Sequence, residues 1–377
     1  MIDLINFFDP VNINFDKTFL QNSEDVLLNT THIHKNSKLL SNQSLSNKAD
    51  VVLFALPNIK NNSKKFITGV NAIRRKLYGL RKLKKNITFY DLGNFKLPST
   101  PQNFKAGIKI VFETLFEANI RIILIGESFL PIAIAKTLSD YYQDPSVLMV
   151  NNHFENFEQY EIITQTTEIS LNFGLLGFQN YLTSQTQIEQ GEKQFMEFVR
   201  LADIKNKIHE SEPYFRDADW ASISLNVVAD NGCMAMEKPS PNGLLPEEFC
   251  AMPYYAGLGC KNKILSFSGY NFQKDRNNHS ASLIAQSIWL YLDGFSGYIQ
   301  EHPSWGGKQN IQRYIVINEE YGKHFIFYKS MLTGRWWMEI PTKNKKNIIV
   351  AASYKDYKMA SNQQIPPRWW NIFKRYF

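Results

Sequence analysis

Cysteine is scarce in this chain: Cys233, Cys250 and Cys260 are the only three. Their number is odd and no two form a C-x-x-C pair, so the simplest reading is a reducing compartment. Long apolar runs are missing too. No stretch of 18 apolar residues occurs, which argues against a transmembrane helix. The start, Met1-Ile2-Asp3-Leu4-Ile5-Asn6-Phe7-Phe8, has no basic residue before a short apolar stretch and does not read as a signal peptide. No internal repeat is visible. We therefore expect a soluble, cytoplasmic protein that could still dock on a membrane complex.

What is present is ordinary in amount and uneven in placement. Hydrophobic residues make up 44% of the 377 positions and charged residues 20%, a globular composition. That length can bury a large core, as one α/β domain with an appendage or as two domains. Net charge is +7. An excess of that size suits an acidic protein surface or an anionic membrane face, and does not by itself call for nucleic acid. Aromatic residues reach 14% and are dense after residue 285, which suggests an extra packing surface.

Three parts follow from the pattern. Residues 1–48 are polar, Asn-rich and read as an irregular lead-in. Residues 49–304 alternate strand and helix. Continuous apolar runs such as Val51-Val52-Leu53-Phe54-Ala55-Leu56 read as strands buried on both faces. Further strands are expected at 87–94, 121–125, 147–150, 169–173, 220–228 and 264–270. Helices are expected around Ile73, Leu77 and Leu80, and at 103–119, 129–142, 189–202, 245–257 and 279–293. This alternation predicts a mostly parallel sheet between two helical layers, with any ligand at the carboxyl ends of the strands. Residues 305–377 read as a β-rich, aromatic and basic extension.

Three strand ends carry the most telling phrases: Leu124-Ile125-Gly126-Glu127-Ser128, Asn151-Asn152-His153-Phe154-Glu155 and Ser222-Ile223-Ser224-Leu225-Asn226. In order and spacing they resemble the G-G-D-H-S, D-A-H-x-D and S-x-D-x-D motifs of the arginase/agmatinase/formimidoylglutamase (ureohydrolase) family. The resemblance spans roughly residues 49–300. Ile73-Arg74-Arg75-Lys76-Leu77-Tyr78 looks like that family's I-R-x-x-L-Y helix, and Asp91-Leu92-Gly93-Asn94 like its D-L-G-N turn. Ser240-Pro241-Asn242-Gly243-Leu244 with Glu248 looks like the loop before its helix with an essential glutamate. Asn271, with Asp275 behind it, resembles a degraded E-x-N-P strand end. The nearest likeness is a divergent formimidoylglutamase-like bacterial branch. It implies a three-layer α/β/α fold.

The same resemblance implies a metal site that this chain has lost. The family binds two Mn²⁺ ions through four aspartates and two histidines, and the metals acidify a bridging water. The matching positions here are Ser128, Asn151, His153, Glu155, Ser224 and Asn226. Two divalent ions bring +4, and hard ions need anionic oxygen donors. Of these six residues Glu155 alone supplies one negative charge, so a buried metal pair would be left strongly uncompensated. We expect no metal, no cofactor and no catalytic residue, with Glu248 as a vestigial substrate-site position. A general acid/base pair of His153 and Glu155, helped by Glu127 and Glu248, is the rival reading. Against it, the histidine could be a hydrogen-bonded remnant and the glutamates helix caps.

Binding surfaces are expected elsewhere. The cluster around Arg74, Arg75, Lys76, Arg81 and Lys82 could dock an acidic partner or be the solvated face of a core helix. Trp336, Trp337, Arg368, Trp369 and Trp370 are of the types that anchor protein interfaces, but could equally fill a second small core. Base stacking by these aromatics has no recognisable nucleic-acid module beside it. His32 and His34 lack a third ligand. Gly306-Gly307-Lys308 lacks the first glycine of a P-loop frame and the hydroxyl residue after its lysine.

The expectation is a pseudoenzyme: a cytoplasmic structural or regulatory subunit that binds protein and possesses no activity. The resemblance also implies a gliding-motility or type 9 secretion machine as the setting, and a homo-oligomer as a possible state. Alternatives are a Mn-dependent formimidoylglutamase-like C–N hydrolase and a small-molecule sensor built on the crevice.

Overall fold

Residues 4–13, 25–35, 49–58, 63–126, 131–154, 171–305, 310–318, 323–343 and 347–377 are described by a computed structural model. Ten strands form the main sheet: β1 (Phe8–Asp9), β2 (Thr31–Ile33), β3 (Val51–Leu56), β4 (Phe89–Phe95), β5 (Arg121–Gly126), β6 (Ser146–Val150), β7 (Asn172–Phe178), β8 (Glu197–Arg200), β9 (Trp220–Ser224) and β10 (Ile264–Ser268). Their order is β1-β4-β3-β5-β10-β9-β6-β7-β8, with β2 also paired to β4. Every pairing is parallel except β1 with β4. The short strands β1 and β2 come from the lead-in, so part of that segment closes one sheet edge.

Successive strand residues point to opposite faces, and each face is apolar. Val51, Leu53 and Ala55 lie on one side with Ile123, Ile125 and Ile223. Helices Ser63–Tyr78, Pro246–Leu258 and His279–Ser296 cover that side. Val52, Phe54 and Leu56 lie on the other with Ile122, Leu124 and Trp220, under helices Pro101–Glu117 and Ile132–Tyr141. Pro101 stands in the first turn of its helix, and the Thr100 hydroxyl accepts the Asn103 N–H at 3.2 Å, which fixes where that helix begins. The fold is the three-layer α/β/α arrangement expected from the sequence.

Two phrases of the sequence turn out to be one structure. Arg74, on the first helix, is fully buried and donates to both carboxylate oxygens of Asp91 at 2.8 and 3.0 Å. It also donates to Asn94 Oδ1 and Gly93 O, both at 2.7 Å. Tyr78 Oη donates to the same carboxylate. Burial opposes the Arg74 charge, but Asp91 and Tyr78 outweigh it and raise the guanidinium pKa. Gly93 sits at φ +94°, and a Cβ there would come within 2.1 Å of Asp9 O. The turn is therefore glycine by necessity.

The expected helix over 189–202 is not one element. A helix runs Gln185–Lys193, Phe195 takes a left-handed φ of 58°, and Glu197–Arg200 pairs with β7 as the sheet's last strand. Phe198 and Val199 are the kind of residues a half-covered strand favours. Likewise the strand expected to reach 228 ends at Ser224, where a 3₁₀ turn begins.

The extension forms an antiparallel meander of β11 (Ile311–Asn318), β12 (Lys323–Ser330), β13 (Trp336–Ile340) and β14 (Ile348–Ala352). Helices Tyr354–Ser361 and Pro367–Tyr376 follow, so the aromatic tail is helical. Phe325, Phe327, Trp336, Met338, Trp369 and Ile372 build its core. It docks at the amino ends of β8 and β9. Arg368 reaches Asp217 at 2.7 Å and Glu197 at 3.6 Å. Asp217 also accepts the Ala351 N–H at 2.8 Å, and Arg216 lies 4.7 Å over the Trp337 ring. A half-open cleft of about 220 Å³ lies at this junction.

Candidate functional site

The carboxyl ends of β6, β9 and β10 form one rim. Ser268 is in register with Ser224, and Val150 with Ile223, so Asn151 follows onto the same row. A one-residue slip would send these side chains to the opposite face. Asn151, Ser224 and Asn226 are fully buried and Ser268 nearly so. Asn151 Oδ1 accepts the Asn152 N–H at 3.0 Å, while its Nδ2 has no hydrogen-bond partner. Ser268 Oγ likewise lacks one. Ser224 Oγ accepts the Asn226 N–H at 3.3 Å, and Asn226 Oδ1 accepts the Lys238 N–H at 3.0 Å.

His153 connects this row to the following loop. Its Nδ1 lies 2.5 Å from Asn152 Oδ1, and its Nε2 lies 2.9 Å from Lys238 Nζ. Burial, seconded by the Lys238 charge, lowers its pKa to about 4. The ring is thus neutral near pH 7. Its partners assign the tautomer: Nδ1–H donates to Asn152, and the Nε2 lone pair accepts from the ammonium. Sequence reading missed Lys238. It lies 85 positions from His153, and the only available signal was a lone lysine in a loop returning to the strand ends.

The loop that carries Lys238 is held close. A Cβ on Gly243 would come within 2.3 Å of Ala229 N. Only glycine lets these two backbones approach.

Glu248 and Asp275 serve as helix caps. Glu248 accepts from Leu245 N–H at 2.9 Å and Asn206 N–H at 2.5 Å. It caps its own helix and ties down the preceding segment, as the cap reading predicted. Asp275 caps helix His279–Ser296 through Ser280 N–H and Ala281 N–H at 3.0 and 2.9 Å. Ser128, Glu155 and Glu127 lie outside the described residues, as do Gly306, Gly307 and Lys308. His34 bonds Leu92 O at 3.0 Å while His32 stacks on Tyr90, so the two form no common site.

Five residues expected on an interaction surface are buried instead. Arg74 faces Asp91 inside the core, because its helix position places it over the D-L-G-N turn. Trp336, Trp337 and Trp369 pack within the extension and against the domain, and Arg368 pairs with Asp217. Arg75, Lys76, Arg81 and Lys82 are exposed, with Lys82 paired to Asp25 at 2.7 Å. Trp370 is 41% exposed.

The described donors on this rim do not suit manganese. Manganese favours carboxylate oxygen and an imidazole lone pair. Among the described residues these strand ends offer amides and hydroxyls, and the His153 lone pair is engaged by a cation. No group of three or more His, Cys, Asp or Glu suited to a metal occurs among the described residues.

No protein-family model and no curated protein matches the chain. Solved structures do. It is similar to Trypanosoma cruzi formiminoglutamase with Mn²⁺ at 15% identity and TM-score 0.59, over 67% of this chain and 94% of that one. Bacillus subtilis formimidoylglutamase gives 14% identity and TM-score 0.60, over 78% and 97%. The agmatine ureohydrolase of Thermoplasma volcanium gives 15% and 0.53, over 67% and 94%. The chain has the arginase-type ureohydrolase fold. Among the described residues no helix is long and apolar enough to cross a membrane.

Proposed function

We propose that the chain is a pseudoenzyme: a ureohydrolase-fold protein without metal or hydrolytic activity, which serves as a protein-binding structural or regulatory subunit. The observation that supports this best is Lys238 Nζ, 2.9 Å from His153 Nε2. A histidine ligates a metal through the lone pair of one of its two ring nitrogens; here Nδ1–H is given to Asn152 Oδ1, and the remaining lone pair accepts a proton of an ammonium. The neighbouring side chains that would balance divalent charge are Asn151, Ser224 and Asn226, which are neutral. A cation built into the chain thus stands beside a row that has no charge to hold two more.

Metal analysis after purification with excess Mn²⁺ tests the first half. We expect sub-stoichiometric manganese and no hydrolysis of formimidoylglutamate or guanidino compounds. Two tightly held equivalents with turnover would overturn it. The binding half is tested by affinity capture with the exposed residues changed, Arg75→Glu with Lys76→Glu and separately Trp370→Ala. Cytoplasmic parts of gliding-motility and type 9 secretion machines are the first baits. Capture of a specific partner that neither variant weakens would remove these surfaces from the proposal.

A further inference from the structure

Among the described residues the rim is chemically one-sided. Asn151 Nδ2 is a buried donor and Ser268 Oγ a buried hydroxyl, and neither has a partner. Buried polar groups without partners are costly, on the order of 1–3 kcal/mol each, so their retention asks for a reason. Ser224 lies between them in register. From the loop above, the Lys238 ammonium is held on His153 Nε2 at 2.9 Å. Lys238 is exposed, so its remaining protons are open to an incoming group. Asp275, an acid of the neighbouring strand-end loop, is satisfied by two backbone N–H groups and Tyr270 Oη. Amide N–H, hydroxyl and ammonium, at the end of a parallel sheet where open α/β folds take ligands, match an oxyanion.

We propose that this rim binds the carboxylate of a small organic acid, with Lys238 supplying the charge and Asn151 and Ser268 the hydrogen bonds. The polarity of the site is thereby inverted, from one suited to cations to one suited to an anion. This inference rests on the metal-free reading above.

The test compares acetate, succinate and L-glutamate with chloride at equal ionic strength, by thermal shift and by isothermal titration on the full chain. Saturable stabilisation by at least one carboxylate, absent with chloride, is expected. Lys238→Gln should weaken it at least roughly tenfold, as loss of a charge-assisted hydrogen bond does. Ser268→Ala separates binding from folding. It removes an unpartnered hydroxyl, so the ligand-free melting temperature should hold or rise while carboxylate affinity drops. No carboxylate effect, or the same effect in all three proteins, overturns the inference and leaves the metal-free reading intact. Stoichiometric Mn²⁺ retained by the wild type in a parallel sample would instead overturn that reading, and this inference with it.

Discussion

Replacing Arg74 by methionine should destabilise the core by about 3–5 kcal/mol, the usual result of leaving half of a buried ion pair behind. The guanidinium makes four hydrogen bonds of 3.0 Å or less, two of them to Asp91, and no part of either side chain is exposed. After the substitution Asp91 keeps Tyr78 Oη and the Gly93 N–H at 2.9 Å. Those two bonds spare part of the loss, and place the expectation near the lower end, ~3 kcal/mol. Urea unfolding followed by circular dichroism measures it, with the slope checked for an unchanged transition. The double variant Arg74→Met/Asp91→Leu removes both charges and should recover at least about 1 kcal/mol of the loss, a coupling that a double-mutant cycle reads directly. If Arg74 were a surface docking residue, the single change would cost less than ~0.5 kcal/mol. A loss that small would refute the buried-network account.

Stability should also depend on His153. Its folded pKa of about 4 lies below the ordinary 6.5, so the unfolded chain takes up more protons between those values. That contribution is intact above pH ~6.5 and is lost as pH falls toward 4; His153→Gln should flatten this window, and an unaltered pH profile would count against the neutral histidine. Gly243→Ala forces a Cβ to within 2.3 Å of Ala229 N, so ~2–3 kcal/mol of destabilisation is expected in thermal melts, and a neutral result would show that the loop can move away. Trp337→Ala, which strips a 2% exposed ring from beneath Arg216, should cost ~3–5 kcal/mol and loosen the extension; limited proteolysis would then cut residues 305–377 first, and an unchanged cleavage pattern would contradict the docking described. Arg75→Ala, by contrast, should leave melting within ~0.5 kcal/mol of wild type.

The sheet was legible because its strands are apolar on both faces. Val51–Leu56 and Arg121–Gly126 admit few other readings once Pro57 and the loops bound them. Side-chain partnership was much less legible. The R and D of I-R-x-x-L-Y and D-L-G-N are recognisable phrases, yet nothing local says that Arg74 turns inward while Arg75 turns out; that depends on which helix face the sheet receives. Lys238 could not be paired with His153 from sequence, since only the fold brings the two loops together. The segment Glu197–Arg200 misled for a related reason: helical signals flank it, and pairing with Gly174–Phe178 overrides them. In the tail, the aromatic and basic composition was evident, but the same composition serves a surface or a core. Helix Pro367–Tyr376 does both, turning Trp369 inward and Trp370 outward.

The extension grips the amino ends of the strands, and the His153–Lys238 rim lies at their carboxyl ends. Strand β9 alone separates them by five residues, roughly 16 Å of extended backbone. The appendage cannot therefore serve as a lid over the rim. On the two proposals above, a partner protein at one end and a small acid at the other would not compete for space. On those two proposals the sheet would join two ends that mutation can disable separately.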